Sequence, residues 1–295
     1  LSAKPIGQIK ETSMGARSIC LLGFGFTAKA VARRLSAEGW RISATTRSAK
    51  QAEQIRAQGY QPVRADPAKP DDHDALCAAV GACDAVLACA PPGEAGDPFL
   101  PALPAETLRG KWLGYLSTTG VYGDRQGGWA FEYEPVSPGQ DRSIRRAQAE
   151  AQWLEHGARL FRLAGIYGPG RSAFDRLEAD KVVFDVPGHV FSRIHADDIA
   201  QAIALSLEKP EAKGAFNLAD DWPDTQPNVM TGAAQIAGLP GPRIEPFDPD
   251  KASPMQASFY AECRRVSNAR AKAALGWRPS YPSWREGLQA IWDQR

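Results

Sequence analysis

The amino-acid sequence predicts an α/β protein, a doubly wound parallel sheet followed by a smaller, mixed C-terminal region. Three observations carry this expectation. In the first half, short apolar runs alternate with segments of helical periodicity, as successive βαβ units require. Within residues 18–35, the apolar run 19–22 gives way to Ala28, Val31, Ala32 and Leu35 at helical spacing, and the period changes across Gly23-Phe24-Gly25. Beyond residue 165 the pattern loosens into Pro/Gly-rich connections.

A glycine turn between a buried strand and a helix is the backbone that receives the pyrophosphate of a dinucleotide. Gly23 allows the tight turn, and Gly25 lets the backbone approach a phosphate with no side chain between. The free N–H groups of the helix start, at Phe26 and Thr27, then face the anion together with the positive end of the helix dipole. Ala28 supplies the small third position, where helix and strand pack closely. The N-terminal half therefore reads as Rossmann-type.

The remaining elements follow in order. Residues 41–45 form a strand leading to Thr46-Arg47, 49–58 a helix, and 62–65 a strand ending at Asp66-Pro67. Residues 74–80 are helical, 85–90 are the next strand, stopped by Pro91-Pro92, and 111–117 another. A helix centred on 144–154 follows a proline- and glycine-rich loop, and 159–164 is a short strand. His195-Ala196-Asp197-Asp198 leads into a helix through Ile199, Ile203 and Leu207, with Asp198 and Gln201 resembling a capping box. The expected division is a disordered tail at 1–16, with Met14 as the native start, a NAD(P)-binding domain at 17–165 and a substrate-binding region at 166–295. Segments near 190–220 return to the first domain.

Composition narrows the function classes. Of 295 residues, 43 % are hydrophobic and 23 % charged, ordinary for a globular protein, and the net charge of +1 gives no reason to expect nucleic acid or an anionic membrane as partner. No run of eighteen apolar residues is present, and the opening residues lack the apolar centre of a secretory signal. The five cysteines show neither a C-x-x-C pair nor zinc-ligand spacing, which implies no metal site and a reducing, cytoplasmic setting.

The second strand end bears on the cofactor. An acidic residue about 20 residues past the glycines would take the adenosine ribose hydroxyls and select NAD. Thr46 and Arg47 stand there instead. They either bind and neutralise a 2′-phosphate, selecting NADP with NAD as the lesser cofactor, or form a solvated turn.

Blocks further along resemble the extended short-chain dehydrogenases/reductases, the group of the NAD-dependent epimerases and dehydratases. After Gly23-Phe24-Gly25 come Tyr115-Leu-Ser-Thr-Thr-Gly-Val-Tyr-Gly-Asp124, Arg162-Leu-Ala-Gly-Ile-Tyr-Gly-Pro-Gly170, Arg193-Ile-His-Ala-Asp-Asp-Ile-Ala200, Phe216-Asn-Leu-Ala-Asp220 and Leu275-Gly-Trp-Arg-Pro279, in the family's order. The resemblance implies a hydroxyl at Thr118, with Ser117 beside it, that hydrogen-bonds the reacting oxygen; the alternative is that both satisfy backbone groups in a turn. It also implies that Asp66 meets the adenine amino group or caps a turn, and that Ala88, Cys89 and Ala90 line the cofactor.

The family's Tyr-x-x-x-Lys pair is absent. Its positions fall on Arg142 and Arg146, with Glu150 four residues beyond, and arginine does not release its proton near neutral pH. Arg146 either bonds the cofactor ribose or forms a surface ion pair with Glu150. Proton transfer would then pass to another group, with Tyr122 and Tyr167 as candidates. Two functions follow: hydride transfer at a carbonyl or hydroxyl carbon of a small molecule or nucleotide sugar, or an NADP(H)-binding redox sensor or scaffold without turnover. A monomer or a homodimer fits the sequence.

Overall fold

The computed structural model describes residues 17–179 and 182–295; the expected tail and Met14 lie outside them. The first half runs β1 (Ser18–Leu22), α1 (Phe26–Ala37), β2 (Arg41–Thr46), α2 (Ala49–Ala57), β3 (Gln61–Arg64), α3 (His73–Gly81), β4 (Ala85–Ala88), α4 (Ala105–Leu108) and β5 (Trp112–Thr118). It continues with β6 (Trp129–Ala130), α5 (Asp141–Glu155), β7 (Arg159–Leu163), β8 (Gly165–Tyr167), α6 (Ala173–Glu178) and β9 (Val183–Asp185). The rest comprises β10 (Arg193–His195), α7 (Ala196–Leu207), β11 (Ala215–Leu218), α8 (Gln226–Ala237), β12 (Ile244–Pro246), α9 (Pro254–Tyr260), β13 (Arg265–Val266), α10 (Ala269–Leu275) and α11 (Trp284–Trp292).

Seven strands form one parallel sheet in the order β11-β7-β5-β4-β1-β2-β3. β1, β4 and β7 are buried along their whole length, as expected of strands covered on both faces. Val31 and Leu35 of α1 and Ile199 and Ile203 of α7 share one apolar layer with Ile19 and Leu21; the layer on the other face holds Leu22, Val86, Tyr115 and Trp153. Each such leucine or isoleucine contributes about 1.5–3 kcal/mol by leaving water. The chain runs out to β3 and then crosses to β4, so the carboxyl ends of β1 and β4 flank a topological switch point, where open α/β sheets bind ligands.

The second half forms three two-stranded parallel ladders, β10-β8, β12-β9 and β13-β6. Tyr167 of β8 and Val183 of β9 join a separate apolar cluster that includes Phe174, Met230, Trp284 and Leu288.

Two local expectations are corrected. The strand after α3 stops at Ala88, because the Cys89 and Ala90 amides turn back onto the Leu22 carbonyl at 2.9 and 3.0 Å. α5, expected as a helix centred on 144–154, spans Asp141–Glu155. Asp198 and Gln201 form no capping box: α7 is capped by His195, whose Nδ1 accepts the Asp197 amide at 3.2 Å. Asp198 sits inside the helix, fully buried, and accepts the Ser280 amide at 2.6 Å and the Tyr281 amide at 3.3 Å.

Candidate active site

The glycine loop follows β1 at the switch point. Gly23 has φ +97°, and a Cβ there would lie 3.2 Å from both the Cβ and the amide nitrogen of Ala90. Left-handed backbone and close approach both demand glycine. Its own N–H donates to Thr45 Oγ1 at 2.7 Å, which fixes the turn against β2. Gly25 is different: a Cβ would meet nothing within 4 Å, so the space in front of it is open.

α1 starts from Gly25 with no side-chain cap and no acid in its first turn. Its leading amides, from Phe26 and Thr27 onward, therefore have no acceptor in the helix and face the switch point. α2, α6, α7, α8 and α11 are capped by Ser48, Ser172, His195, Thr225 and Ser283, whereas α3, α4, α5 and α10 share the lack of a side-chain cap with α1; what sets α1 apart is its place after the glycine turn at the switch point. The loop thus fits a pyrophosphate by its free donors, its positive dipole end and the room before Gly25.

The β2 end gives a mixed result. Thr46 is buried, and its hydroxyl donates to Gln51 Oε1 at 2.7 Å while accepting the Ser48 amide at 3.1 Å. Committed to this turn, it is not free to take a 2′-phosphate, which corrects its expected role. Arg47 is exposed beside it and keeps its guanidinium available. Gln51 Nε2 donates to the Phe24 carbonyl at 2.9 Å and ties this turn to the glycine loop. Sequence reading missed Gln51; its position three residues past the Ser48 cap was the only signal.

Asp66 caps a turn, with Oδ1 accepting the Ala68 amide at 3.2 Å. Ala88 is buried, and Cys89 and Ala90 are half-buried beside the glycine loop. Burial pushes the Cys89 thiol well above its ordinary range, and Sγ lies 3.5 Å from the Leu87 carbonyl, so no thiolate forms there.

Thr118 ends β5 on the same sheet edge. Its Oγ1 accepts the Gly120 amide at 3.1 Å, so the turn-capping role is real, while the hydroxyl proton is left to donate elsewhere. Ser117 is buried, and its Oγ has no hydrogen-bond partner among the described residues.

Tyr122 is removed from the catalytic set. It is fully buried; its phenol donates to Asn217 Oδ1 at 2.7 Å and accepts from Arg162 at 2.9 Å. Burial pushes this phenol above its ordinary range, against the pull of Arg162. Tyr167 is excluded as well. Burial raises its phenol strongly, and the ring packs against Gly287 so closely that a Cβ there would collide with the hydroxyl.

Glu150 is not a surface partner of Arg146. It is buried and binds Arg162 in a fork, with Oε1 3.0 Å from Nε and Oε2 2.8 Å from Nη2. Arg146 donates instead to the Leu116 carbonyl at 2.8 Å and to the Tyr115 hydroxyl at 3.2 Å, which holds it under the β5 end. Arg264 is held by backbone carbonyls of the same block. It donates to the Thr119 and Gly123 carbonyls at 3.2 and 3.0 Å and pairs with Glu262, so it braces the hydroxyl block.

Comparison with known proteins agrees with this architecture. Residues 19–97 match the family model described as the saccharopine dehydrogenase NADP binding domain. A conserved protein of unknown function from Silicibacter pomeroyi is 39 % identical, with a TM-score of 0.84 over 94 % of this chain and 99 % of that one. The UDP-N-acetylglucosamine 4-epimerase of Bacillus cereus shares the fold at 16 % identity, with a TM-score of 0.75 over 95 % of this chain and 99 % of its own.

The chain belongs to one family with the Silicibacter protein, and it shares the fold of the NAD-dependent epimerases and dehydratases. A 3-diazoavenalumate denitrifying reductase from a Streptomyces species is 33 % identical over 156 residues, 48 % of this chain, and that match spans 51 % of the reductase's length. No helix among the described residues is long and apolar enough to cross a membrane.

Proposed function

We propose that the protein is an NADP(H)-dependent reductase of a small molecule, working without the family's tyrosine–lysine pair. The observation that supports this reading most is the uncapped α1 start behind the open space at Gly25, with exposed Arg47 one strand away. Gly25, Phe26 and Thr27 would hold the pyrophosphate. Arg47 would neutralise the 2′-phosphate, and Ala88, Cys89 and Ala90 would line the adenosine side. Arg146, held under the end of β5, would reach the nicotinamide ribose. Such a cofactor supplies a hydride; the residues around it position the acceptor and stabilise charge.

Thr118 is the group that would meet the reacting oxygen. Its hydroxyl is oriented by the Gly120 amide, so its proton can point toward the switch point. Donation from a fixed hydroxyl stabilises a developing oxyanion without reorganisation. Neither candidate phenol completes the relay, since Tyr122 is buried and bonded to Asn217 and Arg162 and Tyr167 is buried against Gly287. An acceptor that needs no proton from the protein tolerates this loss. The Streptomyces relative is named for a denitrifying reduction of a diazo compound, and when dinitrogen leaves, no alkoxide remains to be protonated.

The arginines at the tyrosine and lysine positions favour a second reading, an NADP(H)-binding redox sensor or scaffold. Consumption of NADPH separates the two. A panel of aldehydes, ketones, nucleotide sugars and aryl diazonium compounds should contain a substrate for the wild type. On a carbonyl substrate Thr118→Ala should lose about 100-fold in kcat, the size of one oxyanion donor. Binding of NADPH with no turnover across the panel would support the sensor instead.

A further inference from the structure

A cleft of about 360 Å³ opens between the first turn of α5 and α9, lined by Gly139, Gln140, Asp141, Arg142, Arg145 and Ser258. The Arg142 guanidinium carbon lies 4.6 Å from the centroid of the Phe259 ring, and that ring is half exposed. Neither Arg142 nor Arg145 has an ion pair or a hydrogen bond from its side chain among the described residues. Against their two positive charges the lining sets one carboxylate, Asp141, leaving a net charge of +1. Asp141 sits in the first turn of α5, where it complements the helix dipole. Glu262, the next carboxylate toward α9, pairs through Oε2 with Arg264, while its Oε1 lies beside Gly139 with no hydrogen-bond partner among the described residues.

The cleft adjoins the hydroxyl block. Ser143 follows Arg142 in sequence, and a Cβ added to Gly120 would lie 2.6 Å from Ser143 Oγ and 3.4 Å from Thr118 Oγ1. α5 thus carries the cleft at its first turn and packs, through buried Ser143, against the loop that follows Thr118.

We infer that this cleft is the substrate's anion subsite, and that the substrate class is a small oxyanion, a carboxylate or phosphate borne on a planar group. Arg142 and Arg145 hold the oxyanion through their planar donor forks, and the planar group lies against Phe259. Arginine at the position where relatives place a tyrosine then serves electrostatic orientation of the substrate. This inference rests on the reductase reading for the location of the reacting centre, but the subsite itself does not require the cofactor.

The test is a calorimetric titration of benzoate, phenyl phosphate and benzamide into the full chain, with and without saturating NADP. The wild type should bind benzoate or phenyl phosphate at least tenfold more tightly than neutral benzamide, and the stronger of the two anions identifies the group recognised. Arg142→Gln and Arg145→Gln should each weaken that anion at least tenfold while leaving benzamide and NADPH affinities unchanged. Phe259→Ala should weaken all three aromatic probes. Equal affinity for anions and benzamide, no anion binding, or anion affinity unaffected by both arginine substitutions would overturn the inference. Failure of the wild type to bind NADPH would overturn the reductase reading instead, and the titrations on the free protein would still decide the subsite.

Discussion

At Asp220 burial outweighs every hydrogen bond the side chain makes. One carboxylate oxygen accepts the Trp222 amide at 3.2 Å, and the other, fully enclosed, has no partner among the described residues. Burial pushes this carboxyl up to about 8, with buried Arg193 pulling the other way. The folded state therefore keeps a proton that the unfolded chain releases near pH 4. Because the native state binds more protons across that window, the Asp220 contribution is fully present below about pH 4 and is lost as pH rises toward about 8. Asp220→Asn should remove that loss, so its unfolding free energy relative to wild type should increase steadily between pH 5 and 8.5 in denaturant titrations. A constant difference over that range would show that Asp220 titrates as an ordinary surface acid. The sequence shows Asp220 only as the end of Phe216-Asn-Leu-Ala-Asp220; nothing in that motif reveals that the chain closes over it. The same holds for Tyr122, whose neighbours Arg162 and Asn217 are remote in sequence.

Between elements, α5 shows how a motif can persist while its chemistry changes. The helix keeps the family's spacing, with Glu150 four residues after Arg146, yet that glutamate turns inward to β7 rather than to its helical neighbour. Arg162, Glu150 and Tyr122 form a buried polar chain linking α5, β7 and the hydroxyl-block loop. The fork is satisfied on both sides, but removing one partner leaves a buried charge without compensation. Glu150→Gln should therefore destabilise the fold by about 3–5 kcal/mol, measured by urea unfolding, whereas breaking a surface pair costs about 1 kcal/mol or less. A change below about 1 kcal/mol would mean that the pair is hydrated in solution. Local pattern revealed the strands and helices of the first half well, because each is a short run of one period. It misplaced the cap of α7, because His195 is a rare cap. Long-range pairing decided the partner of Glu150, and no local rule encodes it.

For the whole molecule, the parallel order of the sheet and its crossover from β3 to β4 bring four separate sequence signals to one edge: the glycine loop, the β2 turn, Ala88–Ala90 and Thr118. Their convergence was legible beforehand because the strand order follows from the βαβ pattern and the glycine position. The second half was not legible in this way. The strands of its small ladders span two or three residues each, too short to show a period, and the cleft between α5 and α9 exists only through tertiary packing. The central claim is that the glycine loop and Arg47 together bind NADP(H). Fluorescence titration of NADPH and NADH into wild type and Arg47→Ala measures it most directly. NADPH should bind the wild type at least tenfold more tightly than NADH, and Arg47→Ala should weaken NADPH to the level of NADH while leaving NADH unchanged. Equal affinities in the wild type, or binding of neither nucleotide, would contradict it.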